Sequence, residues 1–161
     1  MLIRPAKPAD GSEIWSILRP IFRAGDTYTI DRQISEPDAI AYWTQARCYV
    51  AQLDGVVLGT YYLKPNQAGG GSHVCNCGFA TSVAARGKGV ARAMLDHALA
   101  EALHVGFRAM QFNFVVASNI RAVDIWKRRG FDVVGRLPDA FNHPQLGYVD
   151  ALVMYKTLVE T

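Results

Sequence analysis

The chain is short of several things that would narrow its role. Cysteine is scarce: three residues, an odd number, build no disulfide framework and suit a reducing cytoplasm. Charge of one sign is scarce too. Seventeen basic residues against fourteen acidic ones leave +3, too mild to argue for a nucleic-acid partner or a membrane surface. No apolar window approaches the length of a membrane-spanning helix. The stretch Met1–Pro8 lacks the apolar core of a signal segment, so a cytoplasmic setting is expected. Repeats, linkers and low-complexity tracts are missing as well. What is present, 161 residues of which half are hydrophobic, suits one compact domain over 1–161 with a substantial core.

Familiar phosphate fingerprints are also missing, although a glycine-rich turn is there. In Arg86-Gly87-Lys88-Gly89-Val90-Ala91, an arginine, Arg92, stands where a dinucleotide fold needs its third glycine. No Gly-Lys-Ser/Thr closes the run as a P-loop would. Yet the turn joins an extended stretch, His73–Val83, to residues with helical apolar spacing at Val90, Met94, Leu95, Ala98, Leu99, Ala102 and Leu103. A glycine-rich turn opening a helix offers free backbone N–H groups and the positive end of the helix dipole, which together seat a pyrophosphate. Arg86, Lys88 and Arg92 add positive charge there. A tight strand-to-helix turn with solvated arginines explains the same residues equally well.

The remaining elements follow from periodicity and punctuation. A first strand is expected over Leu2–Arg4. A helix follows, with Pro8 in its first turn, Ile14, Trp15, Ile17, Leu18, Ile21 and Phe22 on its apolar face, and Gly25-Asp26 at its end. A second short helix spans Pro37–Thr44. Arg47–Leu53 and Val56–Leu63 read as strands joined by the two-residue hairpin signal Asp54-Gly55. Asn66–Ser72 reads as a flexible loop, Met110–Val116 and Phe131–Gly135 as strands, and Leu137–Gly147 as a turn-rich loop before a last strand, Tyr148–Lys156. Alternating strands and helices indicate a mixed α/β sheet.

A second motif resolves the ambiguity of the first. Asn119 to Phe131 reads as a short helix with an asparagine N-cap, basic Lys127, Arg128 and Arg129 in its last turn, and Gly130 as a stop. Arg86, Gly89 and Ala91 match the Gln/Arg-x-x-Gly-x-Gly/Ala pyrophosphate loop of the GNAT superfamily of N-acetyltransferases. Asn119, Ala122, Trp126 and Gly130-Phe131 match its following helix. The chain therefore resembles that superfamily over most of its length. The resemblance implies a single-domain α/β fold with a mixed, mostly antiparallel sheet, a splayed pair of parallel strands and about four flanking helices. It implies acetyl-CoA as co-substrate, no metal, and a small-molecule amine as partner. Since members often dimerise, it admits a homodimer.

By the same resemblance, the strand before the loop parts from its neighbour and pairs with the pantetheine arm. Phe79, Ala80 and Thr81 then meet the cofactor by their backbones, and Arg86, Gly87, Lys88, Gly89, Val90, Ala91 and Arg92 meet the pyrophosphate. Asn119 bonds the pantetheine or the amine side, and Trp126 lines the cofactor. Trp126 stands where many members carry a tyrosine thought to protonate the thiolate. An indole cannot do so, and the strand holds no Glu or Asp to act as base. Catalysis is then expected to rest on proximity and carbonyl polarisation.

Other candidates come from alternation. Asn76, Gly78, Ala80 and Ser82 share one strand face, an amide followed by small residues, which leaves room for a cleft. Asn76 is the first candidate for binding the acceptor. Asn113 is a polar intruder in an apolar run, where a substrate group or an inter-strand hydrogen bond would satisfy it. Tyr28, with Thr29 and Ile30, falls on the wall of the acceptor cleft in this fold, or packs the helices. Asp150, with Tyr148 and His143, lines the same cleft or marks a ladder end. His73, Cys75 and Cys77 invite a metal, but i, i+2 side chains on a strand do not close a tetrahedral site without further ligands, and core packing is preferred.

Asn76, Asn113 and Asn119 also resemble the functional asparagines of a fungal branch that acetylates proline analogues such as azetidine-2-carboxylate. That likeness makes a small amino or imino acid the expected acceptor. A protein or peptide N-acetyltransferase and a non-catalytic acyl-CoA sensor remain the alternatives.

Overall fold

A computed structural model describes residues 1–160. Seven strands, β1 (Leu2–Pro5), β2 (Arg47–Leu53), β3 (Val56–Pro65), β4 (Val74–Thr81), β5 (Ala109–Val116), β6 (Asp132–His143) and β7 (Gly147–Thr157), form one sheet in the order β1-β2-β3-β4-β5-β7-β6. Four α-helices flank it: α1 (Gly11–Ala24), α2 (Glu36–Trp43), α3 (Val90–His104) and α4 (Ile120–Arg128). Every strand pairing is antiparallel except β4 with β5. The expected single α/β sheet with a parallel pair is the one observed.

Two apolar layers cover the sheet. On one face α3 buries Val90, Met94, Leu95, Ala98 and Ala102 against Tyr61, Leu63, Cys75, Cys77 and Met110. On the other, α1 and α2 bury Ile14, Leu18, Phe22 and Trp43 against Val50, Tyr62 and Ala80. Cys75 and Cys77 thus belong to the core beneath α3, as packing predicted. Glycine sets how closely these parts approach. A Cβ on Gly78 would lie 2.4 Å from the Tyr62 ring across the β3–β4 pair, so only glycine lets that ring lie flat over β4.

The hairpin at Asp54-Gly55 forms as expected, both residues having positive φ (51° and 80°), the signature of a type I′ turn. One expectation is corrected. Leu137–Gly147 is not a loop: β6 runs on to His143, and only residues 144–146 turn into β7. The sequence reads as a loop because Pro138 and Asp139 fall where the β6–β7 register slips, between Leu137 and Phe141. Asp139 there adopts φ 50°, and its N–H is held by the Asp150 carboxylate at 3.0 Å.

Candidate active site

The parallel pair holds for only two rungs. Val74 faces Ala109 and Cys75 faces Met110, after which β4 and β5 diverge. Beyond the last rung, the Asn76 Nδ2 donates to the Gln111 carbonyl at 2.9 Å, so a side chain bridges the strands where the backbone ladder stops. Tyr62 donates its hydroxyl to Asn76 Oδ1 at 3.4 Å. Asn76 is therefore a buried clip at the crotch of a fork.

Past the fork, one edge of β4 has no strand partner. Ser82 N–H donates to Leu58 O, and Val74 O accepts from Asn66 N–H, so even-numbered residues direct their backbone groups toward β3. Odd-numbered residues, Cys77, Phe79 and Thr81, direct theirs into the gap. The Phe79 carbonyl there accepts the Tyr28 hydroxyl at 2.6 Å, which leaves the Phe79 and Thr81 N–H groups facing the cleft. Such an edge can pair with an extended amide-bearing ligand and can polarise a carbonyl.

One end of the gap is a cavity of about 570 Å³ at the start of α3, lined by Arg86, Gly87, Gly89, Val90, Ala91 and Arg92, and by Arg121 and Trp126 of α4. Gly87 and Gly89 adopt φ 74° and 71°, a region that side chains rarely enter. Ala93 is the first residue whose N–H reaches a helix carbonyl, that of Gly89 at 3.0 Å, so the N–H groups of Val90, Ala91 and Arg92 are open. Three arginines around unpartnered amides make an anion seat. Lys88, predicted with them, is exposed and not among the lining residues.

The other end is a cavity of about 750 Å³ lined by Asp26, Tyr28, Tyr42, Tyr62, Lys64, Asn66, Asn76 and Asn113, among others. Burial pushes the Tyr28 and Tyr62 hydroxyls well above the usual phenol range, so both are neutral donors. Trp126, Asn119 and Phe79 line both cavities and stand where they meet. The Trp126 indole packs 4.6 Å from the Phe112 ring and 5.4 Å from Phe79. Asn119 Oδ1 caps α4 by accepting from the Ala122 N–H at 3.3 Å, leaving the Asn119 amide nitrogen on the junction.

Most of the residues named from the sequence thus come together along one continuous cleft. Besides Lys88, several differ from expectation. Asn113 is exposed rather than buried, because β5 slips register against β7 between Phe112 and Val115. Its partners are Asn66 Oδ1 at 2.6 Å and the Gln111 side chain at 2.9 Å, a belt of amides across the cleft mouth. Asp150 does not line the cleft. It pairs with Arg136 at 2.6 Å and fastens the irregularity in β6. His143 likewise accepts the N–H groups of Gln145 and Leu146 in the turn, and Tyr148 is exposed.

Sequence reading missed Asp26, Tyr42, Tyr62, Lys64, Asn66 and Arg121. A signal existed for Lys64: it follows Tyr62 by two residues, so both side chains leave the same face of β3. For Asp26 and Arg121 nothing in local spacing distinguished them from solvated ends.

The sequence model described as the Acetyltransferase (GNAT) family matches residues 12–131. N-acetyltransferase aca1 of Schizosaccharomyces pombe is 40% identical over 98 residues, which are 60% of this chain and 47% of that protein. The match thus spans about half the length of that curated relative. A GCN5-related N-acetyltransferase from Kribbella flavida superposes with a TM-score of 0.92 at 40% identity, over 97% of this chain and 96% of that one. The protein yncA of Salmonella typhimurium, solved with its cofactor acetyl-CoA, superposes with a TM-score of 0.87 over 100% of this chain and 95% of that one. At 22% identity its likeness speaks to the fold alone.

Proposed function

The chain belongs to the GNAT family of acetyltransferases, and from that premise we propose that it moves an acetyl group from acetyl-CoA to the amine of a small molecule, in a ternary complex. The observation that carries this reading is the fork itself, an unpaired β4 edge lying between an anion seat and an amide-lined cavity. The residues fit the cofactor. A Cβ placed on Gly87 or Gly89 meets no atom within 4 Å, so the approach to the open amides of α3 is clear. Arg86, Arg92 and Arg121 stand ready for a diphosphate, and the free β4 edge suits a chain of amides such as pantetheine.

When bound, acetyl-CoA supplies an activated acyl carbon: an N–C bond replaces the C–S bond, and the proton lost by the amine is balanced by one gained at sulfur. The chain's own part is positional and electrostatic. The N–H groups of Phe79 and Thr81 face the gap and can bond a carbonyl oxygen that gains charge. The aromatic wall of Phe79, Phe112 and Trp126 excludes water where the two cavities meet. Asn76 keeps the fork open to a fixed width. Asp26 is the only carboxylate among the described lining residues of the acceptor cavity, and it can receive the amine's proton directly or through water.

A small acceptor, amino or imino acids included, suits a cavity of about 750 Å³ whose lining includes the amides Asn66, Asn76 and Asn113. The test is thiol release from acetyl-CoA across an amine panel, beside calorimetry of acetyl-CoA binding. Gly89→Glu puts a strained residue and a negative charge into the anion seat and is expected to weaken binding at least tenfold. Unchanged binding in that variant would remove the basis of the reading.

A further inference from the structure

Among the described residues lining the acceptor cavity there is a single positive group, and it forms no ion pair with them. Lys64 is the only cation among the described residues lining that cavity. It enters none of the ion pairs among the described residues, which join Arg4 to Asp10, Arg129 to Asp96 and Arg136 to Asp150. Its ammonium is held in place instead by two aromatic faces, 5.3 Å from the Tyr62 ring centre and 5.6 Å from that of Tyr42. Lys64 lies directly across from Asn76 in the β3–β4 register and is half-buried, so its side chain leaves the sheet beside the fork.

Hydrogen-bond donors gather around the same end. The Asn66 side chain accepts from Asn113 through its oxygen, and its amide nitrogen has no partner among the described residues. A half-buried ammonium oriented by two tyrosines, with amide donors beside it, recognises an anion of carboxylate size. The same charge works against polycations, since a second ammonium would have to sit beside Lys64 without a counter-charge.

We infer that the acceptor is an amine bearing a carboxylate, and that Lys64 holds this carboxylate. The inference rests on the reading of the cleft as an acetyl-transfer site and names its substrate class. Asp26, lining the same cavity, is left for the amine end of such a zwitterion. Lys64 is thus a specificity-determining residue, and it acts on acceptor capture rather than on the thioester.

The test compares L-amino acids with their own carboxamides, together with spermidine, in the thiol-release assay on the full chain. The amine of each carboxamide is the less basic of the pair, so chemistry alone favours the amide. The wild type is expected to favour the best acid over its amide by at least tenfold in kcat/KM and to leave spermidine unused. Lys64→Met, which keeps the packed stem, is expected to lose at least tenfold on acids, mainly in KM, while amides stay within about twofold. Lys64→Arg is expected to restore most of the preference for acids.

Equal losses on acids and amides, or a wild type that favours amides, would overturn the inference. A binding experiment separates it from the reading beneath it. With CoA present, N-acetylglycine is expected to bind the wild type more tightly than N-acetylglycinamide, and Lys64→Met to erase the difference. If that discrimination appears while no amine releases thiol, the transfer reading fails and the carboxylate seat stands. If thiol is released but the discrimination is absent from both assays, the seat fails and the transfer reading stands.

Discussion

A single side chain marks where this chain departs from the usual chemistry of its superfamily. At position 126 an indole replaces the phenol expected to protonate the departing thiolate, and the structure sets it in an aromatic cluster with Phe79, Phe112 and Phe131. Those contacts give Trp126 a packing role that explains its size without any proton transfer. A well-placed general acid contributes about 100-fold or more to a rate. If Trp126 is only a wall, Trp126→Tyr should keep the transfer rate within about tenfold of the wild type, measured under saturating acetyl-CoA. A rise of 100-fold would mean that proton delivery limits the wild type and that this helix position controls it. Asn76 teaches a related lesson: its amide was legible as a cleft residue, but its bond to the Gln111 carbonyl is long-range and no spacing rule announces it.

At the scale of elements, what the sequence disclosed and what it hid divide along local and non-local causes. The Asp54-Gly55 hairpin, the glycine turn into α3 and the Asn119 cap were legible because each needs only its own few residues. The long β6 was hidden because its turn residues sit inside a ladder, where Asp150 of β7 holds Asp139 in a positive-φ conformation. The same distant tie explains why Asp150 stands in the apolar strand β7, where the sequence offered either a cleft residue or a ladder end. Gly78 belongs to this class as well: its need for glycine comes from Tyr62 on the neighbouring strand. Gly78→Ala should force that ring to shift, destabilising the fold by about 1–3 kcal/mol. Because Tyr62 also braces Lys64 and Asn76, the acceptor KM should rise while acetyl-CoA affinity stays within about twofold. Melting and calorimetry on the same sample check both halves, and an unchanged acceptor KM would show that the ring does not shape the cavity.

On the scale of the whole molecule, a sheet that opens down its middle must be held together at its margins. One tie joins β1, at the edge of the sheet, to the start of α1, which closes one apolar layer. The Arg4 guanidinium grips both oxygens of Asp10 at 2.8 Å, and the Lys7 N–H adds a bond of 2.6 Å. The arginine's hydrogen bonds, above all, pull the Asp10 carboxyl down from 3.8 to about 2, against the opposing effect of burial. Its folded pKa is therefore below its unfolded one, so the unfolded chain binds the extra proton between them. The contribution is fully present above about pH 5, shrinks as pH falls through 4 and 3, and is gone below about 2. The shift bounds it at about 2.5 kcal/mol, and solvent access to Arg4, whose side chain is 23% exposed, reduces it toward about 1 kcal/mol. Asp10→Asn should accordingly lose about 1 kcal/mol of unfolding free energy at pH 7 in urea titrations. The gap to the wild type should narrow steadily between pH 5 and pH 3. A gap that stayed constant over that range would mean that the carboxylate's charge contributes nothing, and that Asp10 matters only as the acceptor that closes the turn from Lys7 to Asp10 ahead of α1.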